Sequence, residues 1–527
     1  AASVKLLSDL TRDPDPLVAQ SAITALSKIG NEPARRIIGA MRRDKKTPFM
    51  AVVTTASFRI ADHLAAAGDR RGALAIYDEY CHPSQPVHIR RAALAGMLRL
   101  DSDGGEKRIL EVLRGPDADL KPAAIAGVPA LKSPRASETF AATMPKLSPD
   151  LQVLMIGALA SRGDAAARRA ISSETQNPNA NVALAAIQAL GAIGDASSVP
   201  VLTGVLEKRA SAECVAAALA SLQQLQDKAA SDAILAAARQ APPDVRASLI
   251  DVLVGRHAVS AVPFLLEQAA QDDAKVAAAA FRGLGRLAEP PQLDAMIALL
   301  MNLRQPALEK EAAAAIIQVS RKIPDPARQS DAVLAACPKA QTVRQRCALL
   351  LVLGQTAGPK ALEVVLTSMN NPDENIRDAA VRALANWPDP AAEKLLLEHA
   401  RAARNPTHQV LLLRGYIRLL GLPANRTEEQ RAQGYANALM LTRRADERRL
   451  VIAGLAEMTT PSALKLLGPM LDDPALQSEA AVAAIKLARA SAAADRVQAR
   501  AFVQKVLSFT QDPELQKEAR GLLARLK

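Results

Sequence analysis

The sequence predicts an all-α fold, an α-solenoid (superhelix) in which antiparallel helical hairpins stack in single file, and three observations carry that prediction. The stretch Asn371 to Pro390, NPDENIRDAAVRALANWPDP, reads as a turn, one helix and a stop. The same phrase recurs along the chain at intervals of roughly 30 to 39 residues, or about twice that where a unit is degenerate, which is a solenoid period. The composition is 49% hydrophobic but only 2% aromatic, which suits closely packed helices rich in Ala and Leu, each repeat burying its stripe against the next. Length divided by period implies roughly 14 to 16 repeats. They are expected to form one continuous array over residues 1–527, with divergent repeats in 1–145, central repeats in 146–334 and C-terminal repeats in 335–527.

Taken in order, each anchor has a local reason. Asp13-Pro14 precedes DPLVAQSAITALSKIG, where proline presets φ for a first helical turn and an Asx side chain can cap it. Weaker anchors open at Pro83 and Pro149. Asn177-Pro178 leads into NANVALAAIQALGAIGD, whose Val182, Ala186, Leu190 and Ile193 fall on one face of a 3.6-residue helix. Pro243, Asp273 and Pro338 open further units. In the best-formed one, Ile376, Ala379, Ala380, Ala383 and Leu384 make the apolar face, Arg377, Asp378 and Arg382 the rest, and Trp387-Pro388 the stop. Pro406, Pro474 and Pro513 follow. Partner helices lie between anchors at Ser198 to Arg209, Pro359 to Met369 and Ser462 to Asp473. Each unit is therefore helix, turn, helix.

The Trp, Tyr and Phe positions of tetratricopeptide repeats and the Thr-Pro-Leu-His of ankyrin repeats are absent. The pattern D-P-x-V-R-x-x-A-x-x-A-L-x-x-I-G-D, carried best by 177–195 and 371–389, resembles HEAT repeats of the short bacterial kind. From about Ala335 to Leu487 the runs RDAAVRALANWPDP, HQVLLLRGYIRLLGL and RRADERRLVIAGLAE resemble the HEAT region of exported planctomycete and verrucomicrobial proteins. In those proteins the array often shares a chain with a 3-keto-disaccharide hydrolase domain. No series of alternating strands suggests that domain here, so the resemblance implies the scaffold portion of such a system or a stand-alone relative, without the hydrolase activity. It also implies export to the periplasm or beyond, as does the small-residue start Ala1-Ala2-Ser3; a cytoplasmic location is the alternative.

Four cysteines are too few for a disulfide-built fold. Cys214, among Val and Ala, reads as core. Cys337 and Cys347 flank a turn and form a candidate disulfide in an oxidising compartment, although two buried thiols are the simpler reading. Cys81, His82 and His88, with His63 upstream, match no zinc-ligand spacing, so neither metal nor cofactor is expected. A nucleophile elbow, a phosphate-binding glycine loop and HExxH are all missing, so no catalytic residue is proposed and the chain is read as no enzyme. With no run of 18 apolar residues, no membrane span is expected.

Charge is the more informative feature. The chain carries 66 basic and 54 acidic residues, a net +12. Between Arg401 and Leu450 ten arginines face four acids, so half of the excess lies in a tenth of the length. Smaller basic groups lie at Arg42-Arg43 with Lys45-Lys46, and at Arg90-Arg91. Arg377 is expected to pair with Asp373 or Asp389 in a ladder along the stack, and Trp387, Arg377 and Asp389 are candidate structural residues. Arg404, His408, Arg414, Tyr416, Arg418, Arg443, Arg444 and Arg448 are the candidate partner-binding residues, because stacked repeats bring equivalent positions side by side. A protein partner is expected, with an anionic surface or polysaccharide as the alternative. Nucleic acid is disfavoured, since aromatic residues for base stacking are scarce. The functional expectation is a non-catalytic interaction scaffold with a concave or basic rim; the alternative is the scaffold part of a 3-keto-glycoside-processing system.

Overall fold

The computed structural model describes residues 2–44, 47–101, 104–208 and 210–526; Lys45, Lys46 and Arg209 lie outside them. Among the described residues there are 32 α-helices, several short 3₁₀ turns and no strand. Two compact units divide the chain, Ala1–Arg256 and His257–Lys527. Each holds sixteen helices that pair into eight antiparallel hairpins. Within each unit the second helix of each hairpin packs on the second helix of the next, and some adjacent first helices, such as Glu393–Ala402 and Glu428–Leu441, also lie side by side.

Capping chemistry sets where the second helices begin. Asp15, Asn179, Asp273, Asp373, Asn405 and Asp512 each hold an N-cap, the side chain accepting from the N–H one or two residues into the helix. In Glu374–Ala385 the expected stripe is inside: Ile376, Ala380, Ala383 and Leu384 are buried and Ala379 half-buried. In Ala180–Ile193, Val182, Ala186 and Leu190 are buried and Ile193 is half-buried. One partner helix differs from its expected span. The 462–473 segment is helical only over Pro461–Leu467, then tightens into the 3₁₀ turn Gly468–Asp472, because Pro469 offers no N–H to continue the α pattern.

Close helix approach replaces aromatic bulk at the inter-repeat contact. A Cβ on Gly354 would lie 2.6 Å from the Ala383 Cα, and one on Gly415 would lie 2.5 Å from the Ala385 carbonyl oxygen. Only glycine permits these backbones to meet. The few aromatic side chains go inside as well: Trp387 and all four tyrosines, Tyr77, Tyr80, Tyr416 and Tyr435, are buried. Phe58 packs tilted on Tyr77 and edge-on to Tyr80, with ring centroids 5.2 and 5.0 Å apart.

Two sets of polar staples finish the stack. An Arg or Gln in the first turns of a second helix reaches back to carbonyls of the preceding loop: Gln152 to Leu147, Arg246 to Ala241, Arg377 to Asn371 and Pro372, Gln477 to Leu471, and Gln516 to Thr510. At the far end, a cation reaches across to the last carbonyls of the neighbouring second helix. Arg162 bonds Leu131 O at 2.7 Å, Arg256 bonds Leu225 O at 2.8 Å, Lys322 bonds Ala288 O at 2.7 Å and Arg418 bonds Trp387 O at 2.6 Å. The sequence separations are 31, 31, 34 and 31 residues, one repeat each time. Such bonds satisfy helix-end carbonyls that have no intrahelical partner.

One link is strained. Ala357, which ends Val343–Thr356, has φ 60° and ψ −165°, a region essentially reserved for glycine. Ala357→Gly is expected to stabilise the second unit by about 1 kcal/mol, the relief of strain outweighing the extra freedom glycine has when unfolded. A lower denaturation midpoint in a urea titration would contradict this.

Candidate partner-binding edge

The ten arginines of 401–450 divide into those that build the fold and those that do not. Arg418, although exposed, donates to the carbonyls of Ala385 and Trp387, and burial pulls its pKa down. Arg426 donates to the carbonyls of Leu419, Leu420 and Leu422 and pairs with Glu393 at 2.9 Å. Arg431 pairs with Glu428 at 3.5 Å and lies over the Tyr435 ring, 5.9 Å from its centroid. Arg414 places Nε at 3.0 Å and Nη2 at 2.7 Å from the Glu447 carboxylate, which is 1% exposed. Arg448 reaches Asp473 at 3.5 Å, and Arg449 bridges Glu479 at 2.9 Å and Asp446 at 3.2 Å. The Glu479 hydrogen bond, first among these contacts, pushes the Arg449 pKa up. Arg401, Arg404, Arg443 and Arg444 are exposed and have no ion-pair or hydrogen-bond partner among the described residues.

These four share an edge. Arg401 ends the helix Glu393–Ala402 and Arg404 precedes the N-cap of Pro406–Gly421. Arg443 and Arg444 lie in the corresponding turn one hairpin later, between Glu428–Leu441 and Ala445–Leu455, Arg443 standing where Arg404 does and Arg444 at the N-cap position. The first helices of the two hairpins pack side by side, so their turns lie about 10 Å apart. Both second helices start at this edge, and their positive N-terminal dipoles add to the arginine charge.

The remaining candidates lie elsewhere. Tyr416 is 2% exposed and donates its hydroxyl to the Gly434 carbonyl at 3.2 Å, so it belongs to the core rather than to a rim. His408 sits on the second-helix face, its Nε2 3.2 Å from Asp378 Oδ1, beside a cleft of about 340 Å³ lined by Glu309, Cys347, Asp378 and Arg382. Burial works to raise the Asp378 carboxyl, but the hydrogen bonds and charges of Arg382 and His408 outweigh it and hold the group low.

The expected ladder partners of Arg377 are occupied otherwise. Asp373 and Asp389 both accept backbone N–H groups as N-caps, which leaves the guanidinium to the Asn371 and Pro372 carbonyls. A ladder does run between repeats, through Arg344–Glu309, Arg414–Glu447, Arg449–Glu479, Lys486–Glu457 and Arg489–Glu518. Of the smaller basic groups, Arg90 is buried against Asp117 and Asp119, Arg91 bonds the Asp119 carbonyl, and Arg42 pairs with Glu79.

The structure holds all four cysteines as free thiols, Cys337 and Cys347 among them. Burial pushes the pKa of both up, and at Cys347 the carboxylates of Asp373, Glu309 and Asp378 add to it. Cys81 packs 3.5 Å from the Met97 sulfur, and burial raises it to about 11. No group of three or more His, Cys, Asp or Glu is arranged to hold a metal ion, and no helix is long and apolar enough to cross a membrane, among the described residues.

The buried tyrosines make a pH expectation. Burial, aided by the hydrogen bond to Asp62, pushes Tyr77 up to about 12, and burial with the Glu393 charge pushes Tyr416 up to about 12. The fold therefore favours the neutral phenol. The stability it confers is complete below the unfolded value of about 10 and is lost as pH rises from there toward 12. Absorbance titration is expected to show these two tyrosines ionising with alkaline unfolding; ionisation near pH 10 in a folded chain would contradict it.

Comparison with known proteins agrees on the class. The family model for HEAT repeats matches residues 138–223 and 330–410, one segment in each unit. With the stacked hairpins, these matches define an α-solenoid that carries HEAT repeats. Solved structures similar to it include Kap121p, at 12% identity and a TM-score of 0.40, covering 99% of this chain and 56% of that one. Importin beta, at 12% identity and a TM-score of 0.37, covers 99% and 72%, and the Kap95:Nup1 complex, at 12% and 0.38, covers 99% and 81%. The chain thus spans little more than half of the Kap121p chain. No curated protein matches the chain.

Proposed function

We propose that the chain is a non-catalytic scaffold that holds a protein partner on the basic edge formed by Arg401, Arg404, Arg443 and Arg444. The observation that supports this reading is the division among the ten arginines: six are bonded within the second unit, and the four that are not lie in or beside the corresponding turns of adjacent hairpins. Single solvated arginines are ordinary on a surface. Four on one edge, reinforced by two helix N-termini, make a field suited to a negatively charged partner.

Fluorescence anisotropy with a labelled ten-residue polyglutamate peptide tests the proposal. Binding is expected at low salt, weakening as the screening length falls to about 10 Å near 0.1 M. It should be lost in R401E/R404E/R443E/R444E and kept in R70E/R71E, which reverses two exposed arginines of the first unit. Equal binding by both variants would place the contact elsewhere; no binding to the wild type at low salt would leave the edge a solvated face.

A further inference from the structure

The basic edge also holds an apolar side chain. Met440 is 72% exposed, at the end of Glu428–Leu441. It stands three and four residues before Arg443 and Arg444, and it takes the place in its hairpin that Arg401 takes in the preceding one. Thr442, two residues on, is buried, and Ala438, two residues back, is buried too. With Ala438 and Thr442 facing inward, the methionine between them projects into solvent, in the chain segment that leads into Arg443 and Arg444. The nearby acids do not neutralise the patch: Asp446 is bonded to Arg449, Glu447 to Arg414 and Asp473 to Arg448. Among the described residues, Glu398, one turn before Arg401 and exposed, is the one carboxylate of the edge with no cation bonded to it.

We infer that the partner segment is an acidic stretch of polypeptide carrying a large apolar side chain, which seats on Met440 while its carboxylates meet Arg401, Arg404, Arg443 and Arg444. The inference rests on the basic-edge reading above and specifies its partner. Charge supplies steering and register, whereas exposed ion pairs contribute little affinity one by one. An apolar anchor ringed by charges is what turns such an encounter into a lasting contact. Methionine suits the role, being flexible, polarizable and able to adapt to an aromatic ring. A pure polyanion, such as an acidic polysaccharide, would leave that side chain unused.

Two peptides of equal charge test the inference on the whole chain: polyglutamate of ten residues, and the same peptide with one phenylalanine inserted at its centre. The phenylalanine peptide is expected to bind wild type about tenfold more tightly, the scale of burying one large apolar side chain. Met440→Ser should reduce that advantage to less than about twofold while melting as wild type does, because an exposed side chain supports little packing. R404E/R443E should lose both peptides. Equal affinity of the two peptides for wild type, or an advantage that survives in Met440→Ser, overturns the inference and leaves the basic edge standing. A heparin fragment that outcompetes the phenylalanine peptide and ignores Met440→Ser also overturns it, in favour of a polysaccharide. If neither peptide binds, the basic-edge reading falls as well.

Discussion

Trp387→Ala is expected to lower the stability of the second unit by about 3–5 kcal/mol, the range for truncating a large buried aromatic side chain. The tryptophan is 2% exposed and follows the helix Glu374–Ala385. Its N–H donates to the Leu384 carbonyl at 3.1 Å, and its own carbonyl accepts from Arg418 of the next hairpin at 2.6 Å. Losing the indole leaves a cavity and loosens the turn that positions this carbonyl. In a stack each repeat contacts only its neighbours, so faster hydrogen exchange should concentrate in Glu374–Ala385 and Pro406–Gly421. A denaturant midpoint within experimental scatter of wild type would show that the side chain is not packed as described.

Arg414→Met should cost about 2–3 kcal/mol, because it leaves the Glu447 carboxylate buried without its cation. Breaking one side of a fully buried pair costs about 3–5 kcal/mol; the Arg414 side chain is 44% exposed, so solvent already screens part of the interaction. Adding Glu447→Leu to Arg414→Met should recover most of the loss, since the unpaired charge goes with it. A double mutant as unstable as the sum of the singles would mean that the two residues act independently. The same variant separates building from binding: Arg414→Met should leave the affinity for the phenylalanine peptide unchanged once the protein is folded.

Most of the fold was legible in the sequence because a solenoid is local. Asp or Asn ahead of six of the second helices, the 3.6-residue stripe and the turn prolines are all read within one repeat, and they recur in the helices found. The burial of Tyr416 was legible too: Leu412, Leu413, Leu419 and Leu420 flank it at helical spacing, which places it on the buried stripe. Arg414 and Arg418 on either side of it placed Tyr416 among the candidate partner-binding residues instead.

The roles of the arginines were harder to read, because they are set by partners one repeat away. Nothing near Arg418 in sequence announces the Ala385 and Trp387 carbonyls, which the neighbouring helix brings to it. Arg377 shows the converse, since its two aspartate candidates were near in sequence but already engaged as caps. Met440 gave no signal in the charge count, and its exposure follows only from how the helix Glu428–Leu441 ends.

Hydrogen exchange of the whole chain, with and without the phenylalanine-bearing polyglutamate peptide, tests most directly that the molecule works through its unpaired edge. Slower exchange confined to residues 399–406 and 440–447 is the result expected. Protection along the exposed faces of Val343–Thr356 and Glu374–Ala385 instead, or no protection at saturating peptide, would contradict it.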